Sequence, residues 1–177
     1  MKIALMGYAR SGKDTVAELI GRKVSKINPL AFGTALKMMY HETFPLIPFL
    51  PKPRKGYERF GEAMRSFDEN VWVRKLENRY KLLQYLSENN GNFIITDLRQ
   101  PNEAAWCKAN GFTIVYVHAH EEDRKARAAE DSEFMYVNPS EEQIWMINRD
   151  YTIYNIGTEA ELEHEVKLLL QQMEEAQ

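Results

Sequence analysis

At 177 residues, with 44% hydrophobic and 28% charged side chains, the chain is long enough to bury a real core in one domain and too apolar for a disordered segment. A net charge of −3 argues against a general nucleic-acid binder, and no apolar run approaches membrane-spanning length. The single cysteine, Cys107, excludes an internal disulfide; together with an N-terminus that lacks a signal-peptide pattern, it leads to the expectation of a cytoplasmic protein.

The first apolar run, residues 2–6, reads as a strand, and Val16, Leu19, Ile20 and Val24 set a helical pattern over 13–25. Between them lies Gly7-Tyr-Ala-Arg10-Ser11-Gly12-Lys13-Asp14-Thr15. Strand, glycine loop and helix in this order make a phosphate cradle. Glycines let the backbone turn tightly and aim its N–H groups inward, and the helix N-terminus adds partial positive charge. Lys13 is expected to reach the β- and γ-phosphates of a nucleoside triphosphate. The strict motif has Ser or Thr directly after the lysine as a Mg²⁺ ligand. Here Asp14 stands there and Thr15 follows. Asp14 could hold the metal directly or through water, and Thr15 could donate to the α-phosphate; the spacing leaves both open.

A second strand is expected over 28–32 and a helix over 34–43. Residues 45–56 hold four prolines plus Lys52, Arg54 and Lys55, so this stretch is expected as a loop, either a substrate flap or a solvated connector. The pattern over 57–89 predicts a helix with Tyr57, Phe60, Met64, Phe67, Val71 and Trp72 on its apolar side and Glu62, Arg65 and Arg74 on its polar side. Arg65 is a candidate for gripping a second phosphate group.

The strand expected over 92–96 ends in Asp97-Leu-Arg99. Ligands of open α/β sheets bind at the carboxyl ends of strands. Asp97 is thus placed to hold Mg²⁺ through water and Arg99 to face a phosphate, unless the two merely pair in the turn. A helix over 101–110 follows, with Asn102 and Glu103 at its start and Cys107 as a small packing residue. After a strand over 112–117, His118 and His120 alternate, but no third metal ligand is evident. A polar helix over 121–130 sets Arg124 and Arg127 on one face, where their forks could close over a triphosphate or serve a charged surface. The segment 121–143 has the polarity of a short lid. A last strand is expected over 151–155. Thr158 with Glu161 then forms a capping box for a helix over 158–174, with Leu162, Val166 and Leu169 buried.

Strands alternating with helices predict an α/β fold: a five-stranded parallel sheet with helices on both faces, in one domain over 1–177.

Several stretches together resemble the phage-type deoxynucleoside monophosphate kinases, which are P-loop kinases. The loop at 7–15 is similar to that family's, which also carries Asp after Lys. Leu30-Ala-Phe-Gly-Thr-Ala-Leu-Lys37 resembles a family stretch that usually has aspartate and proline where Thr34-Ala35 stand. Phe60-Gly-Glu-Ala-Met-Arg65, with Asp68 and Trp72, resembles its glycine–glutamate–arginine–tryptophan segment. Thr96-Asp97-Leu-Arg99-Gln-Pro101-Asn102-Glu103 and Asp150-Tyr-Thr-Ile-Tyr-Asn155-Ile-Gly157 are similar to two more. The resemblance spans nearly the whole chain in order, except 45–56 and the lid. It implies a three-layer P-loop kinase fold with a helical acceptor-binding insert at about 34–90 and a lid at about 121–143. It also implies ATP and Mg²⁺ as cofactors and a nucleoside monophosphate as acceptor. Lys37, Arg65 and Arg99 would hold the acceptor, with Glu62, Trp72 and Asp97 beside them. The Asn155–Gly157 turn would lie near the adenine. Lys13, Arg99, Arg124 and Arg127 would stabilise charge on the transferring group. Animal-type phosphomevalonate kinases share parts of the pattern, including the Lys-Asp pair, so the acceptor's base stays open. A nucleotide-binding switch or ATPase without a small acceptor is a further alternative, as is a binding protein that has lost catalysis.

Overall fold

The computed structural model describes residues 1–87, 91–127 and 143–176. The chain divides into two compact units, one of residues 1–29 and 91–177 and the other of residues 30–90. The ends of two expected helices, at 88–89 and 128–130, and most of the expected lid, 128–142, lie outside the described residues.

A five-stranded parallel sheet is the frame: β1 (Lys2–Met6), β2 (Ile27–Leu30), β3 (Asn92–Leu98), β4 (Thr113–His118) and β5 (Tyr151–Tyr154), in the order β2-β3-β1-β4-β5. In the first unit, α1 (Lys13–Lys23) and α7 (Glu159–Glu175) pack against one another and cover one sheet face. Alternation along the strands gives that face Ile3, Leu5, Ile94, Val115, Val117 and Ile153. Val16, Leu19 and Ile20 from α1 and Leu162, Val166, Leu169, Leu170 and Met173 from α7 close over them. The helix stripe recurs every three or four residues, the spacing that keeps one face apolar. The opposite face carries α5 (Pro101–Ala109), whose buried Ala104 and Cys107 lie on the β4 side with Phe112 and Ile114.

Thr158 caps α7 as its sequence predicts. Its hydroxyl accepts the Glu161 N–H, while the Glu161 carboxylate accepts the Thr158 N–H at 2.7 Å. Those bonds hold the Glu161 carboxyl below its ordinary range, the backbone N–H contributing most.

The second unit contains α2 (Phe32–Thr43), α3 (Arg54–Phe67) and α4 (Val71–Leu86). Two expectations are corrected here. The single helix over 57–89 is two helices, broken at Asp68-Glu69-Asn70. Asp68 is the cause: its carboxylate accepts the Asn70 N–H at 3.1 Å and pairs with Arg74, giving the backbone an alternative to the helix. The apolar stripe therefore does not run through the break, and Phe67, expected inside, is 87% exposed. The loop expected over 45–56 is shorter, because α3 begins at Arg54 behind Pro53. Proline is compatible with a helix start, where an N–H has no intrahelical partner. The rest of the loop lies on α2. The Ile47 carbonyl meets His41 Nδ1 at 3.1 Å, and Phe49 stacks on the His41 ring at 3.7 Å. Tyr40 anchors this end of the unit, with the rings of His41, Phe44, Tyr57 and Phe60 around it.

Candidate active site

The glycine loop leaves the carboxyl end of β1, the central strand, and enters α1. Gly7 has φ 151° and Gly12 φ 94°, both outside the usual range of L residues. A Cβ on Gly7 would lie 2.6 Å from the Val117 carbonyl oxygen and 2.8 Å from Ser11 Oγ. One on Gly12 would lie 2.2 Å from Asn155 Nδ2. Both glycines are thus required twice, by backbone angle and by space. Arg10 adopts φ 63° between them, the left-handed region that a non-glycine residue seldom enters.

Lys13 opens α1 and folds back over the loop. Its Nζ donates to the carbonyls of Gly7 and Tyr8, each at 2.8 Å. The ammonium is thereby held at the mouth of the cradle rather than in solvent. Gly12 caps α1 with no side-chain acceptor, so the first-turn N–H groups have no capping side chain and point to where an anion would sit. Ser11 is 1% exposed, and its Oγ has no hydrogen-bond partner among the described residues. A buried hydroxyl without a partner is costly, and a bound phosphate oxygen would relieve that cost. These features fit a polyphosphate.

Distant segments close around the loop. Asn155, 7% exposed at the end of β5, donates from Nδ2 to the Ser11 carbonyl at 2.9 Å, and its N–H donates to the His118 carbonyl at 2.7 Å. Helix α6 (Glu121–Ala126) and the residue that ends it bring in both expected arginines. The Arg124 guanidinium carbon lies 4.9 Å above the centre of the Tyr8 ring. Arg127, the residue after the helix, donates to the Arg10 carbonyl at 3.1 Å and to the Asn155 carbonyl at 3.4 Å. Gly157 stands two residues beyond Asn155, exposed at the start of α7, beside Glu161 rather than the loop.

At the end of β3, Ala4 pairs with Ile95 but Met6 with Leu98, so β3 carries one extra residue across Thr96–Asp97. Such an irregularity next to a site re-aims a side chain. Asp97 lies within the strand, one strand over from the loop, and is partly buried. Arg99 follows in the turn, where the buried Glu103 carboxylate accepts the N–H groups of Arg99 at 2.9 Å and Gln100 at 3.1 Å. Glu103 therefore fixes the turn that carries Arg99, and Asn102 accepts the Glu103 N–H at 3.0 Å.

Asp14 and Thr15 are exposed in the first turn of α1. With Asp97 they supply hard oxygen donors that suit Mg²⁺. No group of three or more His, Cys, Asp or Glu side chains that could hold a metal occurs among the described residues. A cation here would therefore need oxygens from its nucleotide and water, the usual arrangement for Mg²⁺.

In the second unit, Lys37 on α2 and Glu62 on α3 are exposed, and Arg65 is half-buried one turn after Gly61. Trp72 is different. It is 2% exposed, and its indole N–H donates to the Gly61 carbonyl at 3.3 Å. Its place is beneath the helix that bears Glu62 and Arg65.

Three further residues carry no signal in the sequence. Tyr8, in the loop itself, lies under Arg124, and Arg149 lies 5.2 Å above the ring of Tyr116. Burial pushes the Tyr116 hydroxyl up, Tyr8 adds to this, and the two arginines oppose it. Cys107 is inert packing: burial pushes its thiol far above the ordinary range.

A glycine–lysine loop at the head of the central strand of this sheet defines a P-loop kinase fold. The AAA domain family AAA_18 matches residues 3–145, and the chain belongs to it. Solved structures share the fold along nearly the full length. Shikimate kinase from Acinetobacter baumannii, in complex with shikimate, is 17% identical with a TM-score of 0.58, over 99% of this chain and 94% of that one. Shikimate kinase from Aquifex aeolicus is 21% identical with a TM-score of 0.54, over 97% of each chain. Dephospho-CoA kinase from Campylobacter jejuni is 16% identical with a TM-score of 0.54, over 99% of each. No curated protein sequence matches this chain.

Proposed function

We propose that this protein transfers the terminal phosphoryl group of ATP, with Mg²⁺, to the phosphate of a small acceptor, a nucleoside or deoxynucleoside monophosphate, giving the diphosphate. The observation that carries the donor half is the cradle. Two glycines stand where no Cβ fits, Lys13 is folded over the mouth, and Ser11 presents an unpartnered buried hydroxyl. The structural neighbours are named as kinases of small molecules, shikimate and dephospho-CoA among them. The acceptor half rests on the resemblance of the Gly61–Trp72 and Thr96–Glu103 stretches to deoxynucleoside monophosphate kinases.

A monophosphate is already an anionic nucleophile and needs no strong general base. The barrier lies in bringing two anions together and in stabilising charge on the transferring group, which positioning and electrostatics accomplish. In this reading Lys13 exchanges its two carbonyl partners for β- and γ-phosphate oxygens, and Ser11 and Gly12 contribute cradle contacts. Asp14 or Thr15, with Asp97 through water, would hold Mg²⁺, which would neutralise the polyphosphate when bound. Arg99 and Arg124 face developing charge. Lys37, Glu62 and Arg65 bind the acceptor, and Trp72 supports the backbone of α3 beneath them.

The test is a transfer assay with γ-labelled ATP, Mg²⁺ and a panel of nucleoside and deoxynucleoside monophosphates, with phosphomevalonate as one arm. Label passing to a monophosphate is expected. Label on phosphomevalonate alone would move the acceptor to the other class. Phosphate release indifferent to every acceptor would replace the kinase with an ATPase or switch.

A further inference from the structure

We infer that Arg127 is a positioning residue that locks the crest of the nucleotide loop, and is not a group that meets the transferring phosphoryl. The Arg10 carbonyl and the Ser11 N–H belong to the same trans peptide group and point in opposite directions. Arg127 Nη1 donates to that carbonyl at 3.1 Å, while the Ser11 N–H donates to the Tyr8 carbonyl at 3.2 Å. Both ends of the plane are thus held. The next carbonyl along, that of Ser11, accepts from Asn155 Nδ2 at 2.9 Å. Arg127 Nη2 then reaches the carbonyl of Asn155 itself at 3.4 Å, closing a ring from α6 to loop to β5 and back. Two successive loop carbonyls are drawn outward by side chains 117 and 144 residues away in sequence.

In the held Arg10–Ser11 plane the Ser11 N–H is taken by Tyr8, while the outward Ser11 carbonyl leaves the Gly12 N–H directed to the other side, the side on which backbone N–H groups make an anion-binding concavity. The same plane follows Arg10, whose φ of 63° is unfavourable for a residue with a Cβ. Such a conformation persists only where its surroundings over-determine it, and the Arg127 fork supplies that constraint. A guanidinium can span two carbonyls because its donors are fixed in one plane; an ammonium has no such reach. Arg124 has another role, since its guanidinium lies over the Tyr8 ring and its buried Nε has no partner among the described residues.

The test uses the full chain as wild type, Arg127→Ala and Arg127→Lys. Arg127 is exposed, so neither change opens the core. Amide hydrogen exchange of the unliganded protein reads the lock directly. Ser11 is expected to exchange about tenfold faster in Arg127→Ala, the scale of one lost hydrogen bond from a charged donor, with Arg127→Lys in between. The second readout rests on the kinase reading. KM for ATP is expected to rise about tenfold, with kcat at saturating ATP within about threefold of wild type, as for uniform binding lost. Unchanged exchange at Ser11 overturns the inference. So does a fall in kcat of a hundredfold at saturating ATP with KM unchanged, the mark of a transition-state contact. A wild type without transfer activity, but with the faster exchange in the variants, removes the kinase reading and leaves the lock standing.

Discussion

Gly12 and Lys13 show how much one residue can carry in this fold. At Gly12 any side chain meets two obstacles: a φ of 94° and the Asn155 amide 2.2 Å from where a Cβ would stand. Gly12→Ala must therefore push Asn155 from the Ser11 carbonyl or unwind the start of α1. Loss of ATP binding by calorimetry is expected, with the far-ultraviolet spectrum preserved because the hydrophobic core lies elsewhere. Lys13 is different, since its Nζ is held by loop carbonyls that could as well bond to water. Removing it should spare the fold and remove the charge: Lys13→Ala is expected to lower kcat by at least about a hundredfold, the scale for losing a key electrostatic donor. Near-normal turnover in a coupled assay would refute the donor site. Both residues were legible in sequence because the cradle is contiguous, with its glycine and lysine spacing set by backbone geometry. Asn155 was legible only through resemblance, and its bond to Ser11 was not foreseeable. Nothing in a spacing of 144 residues indicates contact.

At the scale of elements, local rules did well where the chain decides locally. The Thr158–Glu161 box, the Pro101 start of α5 and the buried Leu162, Val166 and Leu169, three of the five buried positions of α7, follow from side chains within one or two turns. Thr158→Ala is expected to cost about 1 kcal/mol, the common cost of a lost N-cap, measured by urea unfolding near neutral pH. The sign of its pH dependence follows from Glu161, whose carboxyl is lowered in the folded state. Its stabilisation is present above the ordinary carboxyl range and is lost as pH falls through the lowered folded value. The difference between wild type and variant should therefore narrow in acid; a gap that widens there would contradict the carboxylate's part in the cap. Helical periodicity failed at Asp68 because it registers apolar spacing and not a carboxylate that competes for the backbone. It ran one stripe through a turn, and it placed Phe67 inside when the break leaves it in solvent. The extra residue of β3 was equally invisible, since a bulge is defined by its partner strand, here β1.

For the whole molecule, the division into two units separates the proposed roles. The first unit holds every residue of the phosphate cradle, and the second holds Lys37, Glu62, Arg65 and Trp72. If the acceptor is read by the second unit, Arg65→Ala should raise KM for the monophosphate and leave KM for ATP within about twofold, as expected when uniform binding of one substrate is lost. A change confined to KM for ATP would reassign Arg65. Removing Mg²⁺ with a chelator should stop transfer, and adding ATP with Mg²⁺ should raise the melting temperature, because a ligand that binds only the folded state stabilises it by mass action. The sequence by itself determined the strand–helix alternation, the phosphate loop and the capped last helix. Each arises from contacts within a few residues, where backbone geometry and hydrophobic periodicity leave few choices. Only the tertiary structure decided that Arg127 and Asn155 grip the loop's outer carbonyls, that Asp97 sits at an irregularity within strand β3, and that Trp72 lies buried beneath α3. Those placements depend on which strands become neighbours and on the side chains that meet there, and a linear order of residues does not encode such distances.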